Sequence, residues 1–297
     1  MKTHRMVLTT REIADTAHYC TDRMKNRYAI PVAGALVLPE AALPIPPYVF
    51  GVWLGDGHSY GSQITAHRDD LEIADHLRAC GMDVEIKAKD KRFPDIMTLR
   101  PTILWPDHIC RRGHDVNVVG RHGSGICAEC GRQFTMRWKH GHPVDSVLPE
   151  AKPFSLRLRE LGLIKNRKTP KTGKHIPPVF LRASKDQRLA LLQGLMDSDG
   201  YVGDNGRCEL VTIYPRLAEG FGELLATLGI KFTSVDKQPV AVVNGERRPG
   251  KPVKRFSFMI YDDTPVFRLT RKRARQVSRE GRRTVDRLFA FLDMLLR

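Results

Sequence analysis

The sequence lacks any apolar run of about 18 residues, the length that spans a bilayer as a helix, and its start, Met1-Lys2-Thr3-His4-Arg5, leads into no signal-peptide core. An intracellular, cytoplasmic protein is expected, nucleoid-associated if bacterial or phage. Cysteine is scarce, six in 297 residues, and inside a cell such residues are thiols or metal ligands rather than disulfides. Acidic residues are outnumbered, 33 against 49 lysines and arginines, for a net charge of +16 and a pI near 9.8. That excess favours a polyanion as partner, because each phosphate neutralised releases condensed counterions; ribosomal or membrane-surface binding would account for the charge equally well. The apolar content, 41%, is ample for the core of one large or two modest domains.

What the chain does have is one short pattern written twice. Val49-Phe50-Gly51-Val52-Trp53-Leu54-Gly55-Asp56-Gly57 and Leu192-Gln193-Gly194-Leu195-Met196-Asp197-Ser198-Asp199-Gly200 are both runs with small residues four apart, closing on Asp-Gly. Residues four apart share a helix face, so each run offers a strip almost free of side chains along which a second helix can approach closely. The glycine after each aspartate, Gly57 and Gly200, is expected as a left-handed residue ending its helix. Asp56 and Asp199 then carry the wrong sign for their place, since a helix C-terminus is already negative and favours Lys or Arg. Two such misfits brought together by packed helices make an acidic pair suited to a hard cation such as Mg²⁺.

The surrounding pattern repeats as well. Thr9 and Glu12 have capping-box spacing for a helix to about Met24, within an N-terminal helical segment, residues 1–42. The first motif helix is expected to begin near Pro47. After Gly57 come a short strand pair to about Ala66, a helix from Asp69 to Cys80, and strands Val84 to Lys89 and Arg92 to Leu99. Apolar spacing predicts a helix from Phe154 to Leu163, and residues 43–104 with 141–183 form the first half plus linker. Ser184 and Gln187 form a capping box for the second motif helix. Behind it follow a strand at Cys208–Thr212, a helix from Pro215 to Leu228, and strands Lys231–Asp236 and Arg255–Ile260. The second half spans residues 184–297 and ends on an amphipathic helix with Leu288, Phe289, Phe291, Leu292 and Leu295. This recurrence implies an internal duplication, with two α/β halves related by a pseudo-dyad through the motif helices.

Between the halves, residues 105–140 carry Cys110-x₃-His114 and Cys127-x₂-Cys130, three Cys and one His at a spacing that suits a structural tetrahedral Zn²⁺. His108 and His122 are alternative ligands. Basic clusters lie at the turn with Lys87, Lys89, Lys91 and Arg92, in a long flexible excursion with Arg247, Arg248, Lys251 and Lys254, and at Arg271 and Lys272. Each suits phosphate or base contacts from a ribbon in the DNA major groove, and each also fits an ordinary solvated face.

The two nonapeptides resemble the paired motif of the LAGLIDADG (dodecapeptide) homing endonucleases, in the single-chain, two-motif form found free-standing and inside inteins. The resemblance extends to Leu38–Pro44, Lys174–Pro177 and Asp263–Leu269, and covers roughly four fifths of the chain. It implies an α+β fold of two αββαββα halves packed through the motif helices, with the zinc-knuckle module inserted. The implied activity is Mg²⁺-dependent, site-specific hydrolysis of both strands of a DNA duplex across the minor groove, by a monomer on a long pseudo-palindromic target. Asp56 and Asp199 then anchor the metals, with the carbonyls of Gly55 and Ser198 completing the coordination; Asp197, opposite Leu54 in the other copy, is a weaker candidate. The basic residue that the family places near the attacking water aligns with His67 in the first half and with Ile213 in the second, which leaves that role unassigned. Intein splicing is not expected, since the chain lacks an initial Cys or Ser and a terminal His-Asn. The rival is a catalytically silent nucleic-acid-binding protein on the same scaffold, an RNA maturase or transcription factor, for which two carboxylates beside a phosphate backbone are a burden.

Overall fold

Two helices touching backbone to backbone set the geometry of everything else. In the computed structural model, which describes residues 7–17, 33–103, 124–126, 133–135, 154–164, 173–243 and 246–276, helix α1 (Thr10–Ala17) precedes helix α2 (Pro47–Asp56). Pro47 at the first position of α2 supplies a φ already suited to a helix and has no N–H to leave unbonded. Its partner, α6 (Lys185–Ser198), opens with a complete capping box in which Gln187 N donates to Ser184 Oγ at 3.3 Å and Ser184 N donates to Gln187 Oε1 at 3.1 Å. A β-carbon on Gly51 would fall 2.3 Å from the Leu191 carbonyl oxygen, and one on Gly194 would fall 2.2 Å from that of Tyr48. Only glycine fits at either place, and the two overlaps are reciprocal, as a two-fold axis through the crossing requires.

The expected left-handed glycines are not there. Gly57 is extended (φ −72°, ψ 145°), and Gly200 opens strand β6 (Gly200–Val202), so each helix runs directly into the sheet behind it. Glycine is needed for space: a β-carbon on Gly57 would lie 2.2 Å from the Trp53 carbonyl oxygen, and one on Gly200 would lie 2.5 Å from that of Met196.

Each helix leads into an antiparallel sheet. The first sheet has the order β1-β3-β2, from β1 (Ile64–His67), β2 (Met82–Asp90) and β3 (Phe93–Ile103), with α3 (Glu72–Ala79) between β1 and β2. The second has the order β6-β7-β11-β8, from β6, β7 (Cys208–Thr212), β8 (Phe232–Lys237) and β11 (Val253–Phe258), with α7 (Pro215–Thr227) between β7 and β8. Strand alternation turns Ile64 and Leu99 of one sheet, and Leu210, Phe256 and Phe258 of the other, into a core continuous with the buried motif helices. Of the two readings of the excursion between Gln238 and Lys254, a flexible loop or a solvated hairpin, the structure has the hairpin: an antiparallel ribbon of β9 (Val240–Val243) with β10 (Glu246–Pro249), closed at its base by a bond from Gly250 N to the Pro239 carbonyl at 2.7 Å. Val240, Ala241, Val242 and Val243 give that stretch the β-branched composition of a strand, which its charges obscured.

Other expectations fare variously. The helix near Phe154 is present as α4 (Phe154–Glu160), between a small hairpin of β4 (Ser124–Ile126) with β5 (Gln133–Thr135) and the short α5 (Pro178–Leu181). The Thr9–Glu12 capping box is present too, with Glu12 N donating to Thr9 Oγ1 at 3.2 Å. Its helix is described to Ala17. Cys110, His114, Cys127, Cys130, His108 and His122 lie outside the described residues, as does the terminal amphipathic segment. The last element described, α8 (Thr270–Arg273), clasps the first half: Thr270 Oγ1 donates to Glu72 at 2.8 Å and Arg271 to Asp70 at 2.6 Å.

Candidate active site at the helix ends

The crossing at Gly51 and Gly194 carries the C-terminal ends of α2 and α6 to one place. A β-carbon on Gly55 would sit 2.0 Å from Ser198 Oγ and 3.2 Å from the Asp199 amide nitrogen. Asp56 and Asp199, the residues following Gly55 and Ser198, therefore meet at one seam, and the Asp199 carboxylate acts on Asp56 electrostatically. Burial first, and the Asp199 charge second, push the Asp56 carboxyl up to about 6; burial raises Asp199 as well, against the lowering pull of Lys174 and Lys272. Among the described residues no hydrogen bond reaches either side chain, and no group of three or more His, Cys, Asp or Glu converges.

Two lysines answer the charge misfit that the sequence posed. Lys174, buried, donates from Nζ to the Gly55 carbonyl at 2.5 Å, with the Trp53 ring centre 5.6 Å and the Tyr214 ring centre 6.0 Å away. Lys272, equally buried, donates to the carbonyls of Asp197 (2.7 Å), Gly200 (2.7 Å), Met196 (2.9 Å) and Ser198 (3.3 Å). Each supplies the cation that a helix C-terminus favours, delivered from the last segment of the same half. Sequence reasoning missed this role, reading Lys174 as flank and linker and Lys272 as a DNA contact. The available signal was positional: each lysine follows its motif by one complete half.

These contacts revise several expectations. Lys272 is not an exposed phosphate contact, because its ammonium is spent on helix carbonyls and only 6% of the residue is exposed. The Gly55 and Ser198 carbonyls, expected to coordinate metal, each accept a lysine proton, which occupies one of the two lone pairs of each oxygen. Asp197 is a structural anchor: 1% exposed, it accepts from Tyr48 Oη at 2.8 Å, Arg268 N at 3.0 Å and Leu269 N at 3.1 Å. His67 is exposed at the end of β1, where Nδ1 accepts from Asp69 N at 3.2 Å and so starts the following turn.

Of the expected DNA contacts, Lys87 and Lys89 lie exposed on β2, and Lys91 and Arg92 occupy the turn to β3. Lys87 pairs with Glu85 at 2.9 Å, and Lys254, on β11, with Asp236 at 3.3 Å. Arg247 and Arg248 fall on β10, with Arg248 and Lys251 exposed. Arg271 is held by Asp70. Beside the end of α6 opens a cleft of about 260 Å³, lined by Ser198, Tyr201, Arg271 and Arg275 among others.

Residues 186–248 match the family model of a LAGLIDADG-like domain, which bears out the resemblance over the second half. A curated relative, described as the replicative DNA helicase DnaB of Mycobacterium intracellulare, is 28% identical over 237 residues, covering 80% of this chain but only 28% of the relative's length. Among solved structures, the mesophilic variants of the homing endonuclease I-DmoI are 14% identical with a TM-score of 0.32, covering 79% of this chain and 93% of theirs. I-DmoI in complex with DNA and Mn is 14% identical with a TM-score of 0.31, covering 72% and 89%.

Proposed function

We propose that this LAGLIDADG-type protein is a site-specific DNA endonuclease that cuts both strands of a duplex with the help of a divalent metal, Mg²⁺ in the first instance. The observation that carries the reading is the seam itself: two carboxylates, one at each motif helix end, Asp56 partly buried and Asp199 exposed, brought together with no hydrogen-bond donor of their own among the described residues. Such a pair is poorly stabilised in its charged form, and a hard cation with oxygen ligands relieves that cost, so the residues present fit the metal. Asp56 and Asp199 would hold it. When bound, the metal supplies Lewis acidity toward a phosphoryl oxygen and a lowered pKa for an attacking water.

The protein's own part is positional and electrostatic. The glycine crossing fixes the separation of the two aspartates, so neither can retreat from the other. Lys174 and Lys272 offset the negative helix ends, which keeps the seam attractive to a phosphodiester carrying its own charge. The sheets on either side present basic residues to the flanking duplex. An intein-like origin rests on the motif resemblance alone. A structural Zn²⁺ at Cys110, His114, Cys127 and Cys130 is proposed on spacing alone, and metal analysis of Cys127→Ser with Cys130→Ser checks it through loss of bound zinc.

The decisive assay incubates the protein with Mg²⁺ and a plasmid library carrying candidate target sites. Asp56→Asn and Asp199→Asn should each abolish linearisation while duplex binding survives or tightens. Retained linearisation by either variant removes the assigned anchors, and binding without any cutting by the unaltered protein would favour the silent-scaffold rival.

A further inference from the structure

The two sheets carry corresponding rungs of opposite chemistry. Strand order matches β1 with β7, β3 with β11 and β2 with β8. On the outward face of the first sheet the central rung is Thr65, Thr98 and Lys87, flanked by His67 and Ile96 on one side and by Glu85 and Arg100 on the other. On the outward face of the second, the same rung is Val211, Arg255 and Val235, with Ile213 and Val253 beside it. A sheet with one solvated face alternates apolar-in and polar-out. The first sheet obeys, whereas the second exposes Val211 at 44%, Ile213 at 45%, Val235 at 50% and Tyr201 at 59%. Arg255, between Val211 and Val235, turns to Glu209 at 3.7 Å, and Glu209 also accepts from Ser257 Oγ at 2.9 Å; on the first sheet Lys87 and Arg100 turn to Glu85 in the same way, at 2.9 and 3.9 Å, so the two faces differ in their exposed valines rather than in their ion pairs.

Exposed apolar side chains gathered on one solvated sheet face mark a surface built to meet something. Its occupant is set by its surroundings: exposed Lys237 stands opposite Val253 at the edge of the face, with exposed Arg248 and Lys251 in the stretch leading into β11, which matches a polyanion, and the face includes Tyr201 of the strand that leaves the Asp199 end of the seam. Within the major groove of DNA the one apolar feature is the C5 methyl of thymine. Resting on the endonuclease reading above, we propose that the two halves read chemically different half-sites: Val211, Ile213 and Val235 select a thymine-rich arm through its methyl groups, while Lys87, Lys89 and Arg100 select guanines in the other arm. The target is then asymmetric in composition, although the fold that reads it is duplicated.

The test is selection of bound duplexes from a library with a randomised core, using the full chain without added divalent cation. One arm of the enriched sequences should be rich in thymine and the other in guanine on the contacted strands. Val211→Ser with Val235→Ser should erase the thymine preference in that arm alone, and Lys87→Ala with Lys89→Ala should relax the other alone. Replacing thymine by deoxyuridine in the enriched duplex, which needs no protein variant, should weaken binding about four-fold for each contacted methyl. Enriched duplexes with no thymine-rich arm, or indifference to deoxyuridine, would overturn the proposal while leaving a sequence-specific DNA binder. No enrichment at all would overturn it together with the endonuclease reading.

Discussion

Leu54 and Asp197 occupy the same place in the two motif helices, one residue before the small residue that precedes each seam aspartate, and both are essentially shut off from solvent. One is a core leucine. The other is a carboxylate that gathers the Tyr48 hydroxyl and the backbone of Arg268 and Leu269, fastening the end of the second half onto the first. A motif can therefore carry an acid at a core position without that acid belonging to the chemistry; burial and hydrogen-bond partners decide which aspartates are structural. Asp56 and Asp199 differ from Asp197 in having no such partners among the described residues.

The largest effect should come from exchanging the two positions. Asp197→Leu strands the Tyr48 hydroxyl and two backbone amides and leaves Lys272 without its nearest counter-charge, so denaturant unfolding should show a loss of about 3–5 kcal/mol. Leu54→Asp, which buries a carboxylate with no donor, should cost a comparable amount. If Asp197→Leu proves neutral, the carboxylate is no anchor.

A second comparison concerns the capping lysines. Lys272 serves four carbonyls and Lys174 serves the Gly55 carbonyl beside two aromatic rings. Lys272→Met should therefore destabilise by about 2–3 kcal/mol and Lys174→Met by about 1–2 kcal/mol, on the scale of hydrogen bonds to charged groups. Thermal melts of the two variants side by side would show the order, and the reverse order would mean that the aromatic walls matter more than the carbonyls.

The smallest effect should be a gain. Burial and the neighbouring Asp199 charge push the Asp56 carboxyl up to about 6 from an ordinary 3.8, so the native state holds its proton more tightly than the unfolded chain does. The stabilisation linked to that proton is present at low pH and is lost as pH rises from about 4 through 6. Asp56→Asn, which carries no charge to desolvate, should be more stable than the parent by on the order of 1 kcal/mol at pH 8 once solvent screening of a partly exposed carboxyl is allowed for, with the advantage vanishing below about pH 4. Melting temperatures across that range check both the sign and the window.

The parts of this architecture that depend on spacing along the chain were legible in the sequence. Four-residue spacing marked Gly51, Gly55, Gly194 and Ser198 as a close helix contact, and the two Asp-Gly endings marked the seam. The repeated pattern placed β7, β8 and β11 to within a few residues, while β6, running straight on from the second motif helix, went unforeseen. What the sequence concealed was long-range. Lys174 lies 119 residues from the Gly55 carbonyl it meets, and Lys272 lies 75 from that of Asp197. Neither carries a local signature, and a lysine among other basic residues looks like a solvated one. Gly57 and Gly200 were foreseen for their backbone freedom when the constraint was room, because a side chain there meets the preceding helical turn.

The central claim, that Asp56 and Asp199 jointly hold a divalent ion at the seam, is tested most directly by titrating Mn²⁺ into the protein and its single Asp→Asn variants and following free Mn²⁺ by electron paramagnetic resonance. Tight Mn²⁺ uptake by the parent that is lost in both Asp56→Asn and Asp199→Asn is the expected result. Uptake left unchanged by either substitution would contradict a shared site.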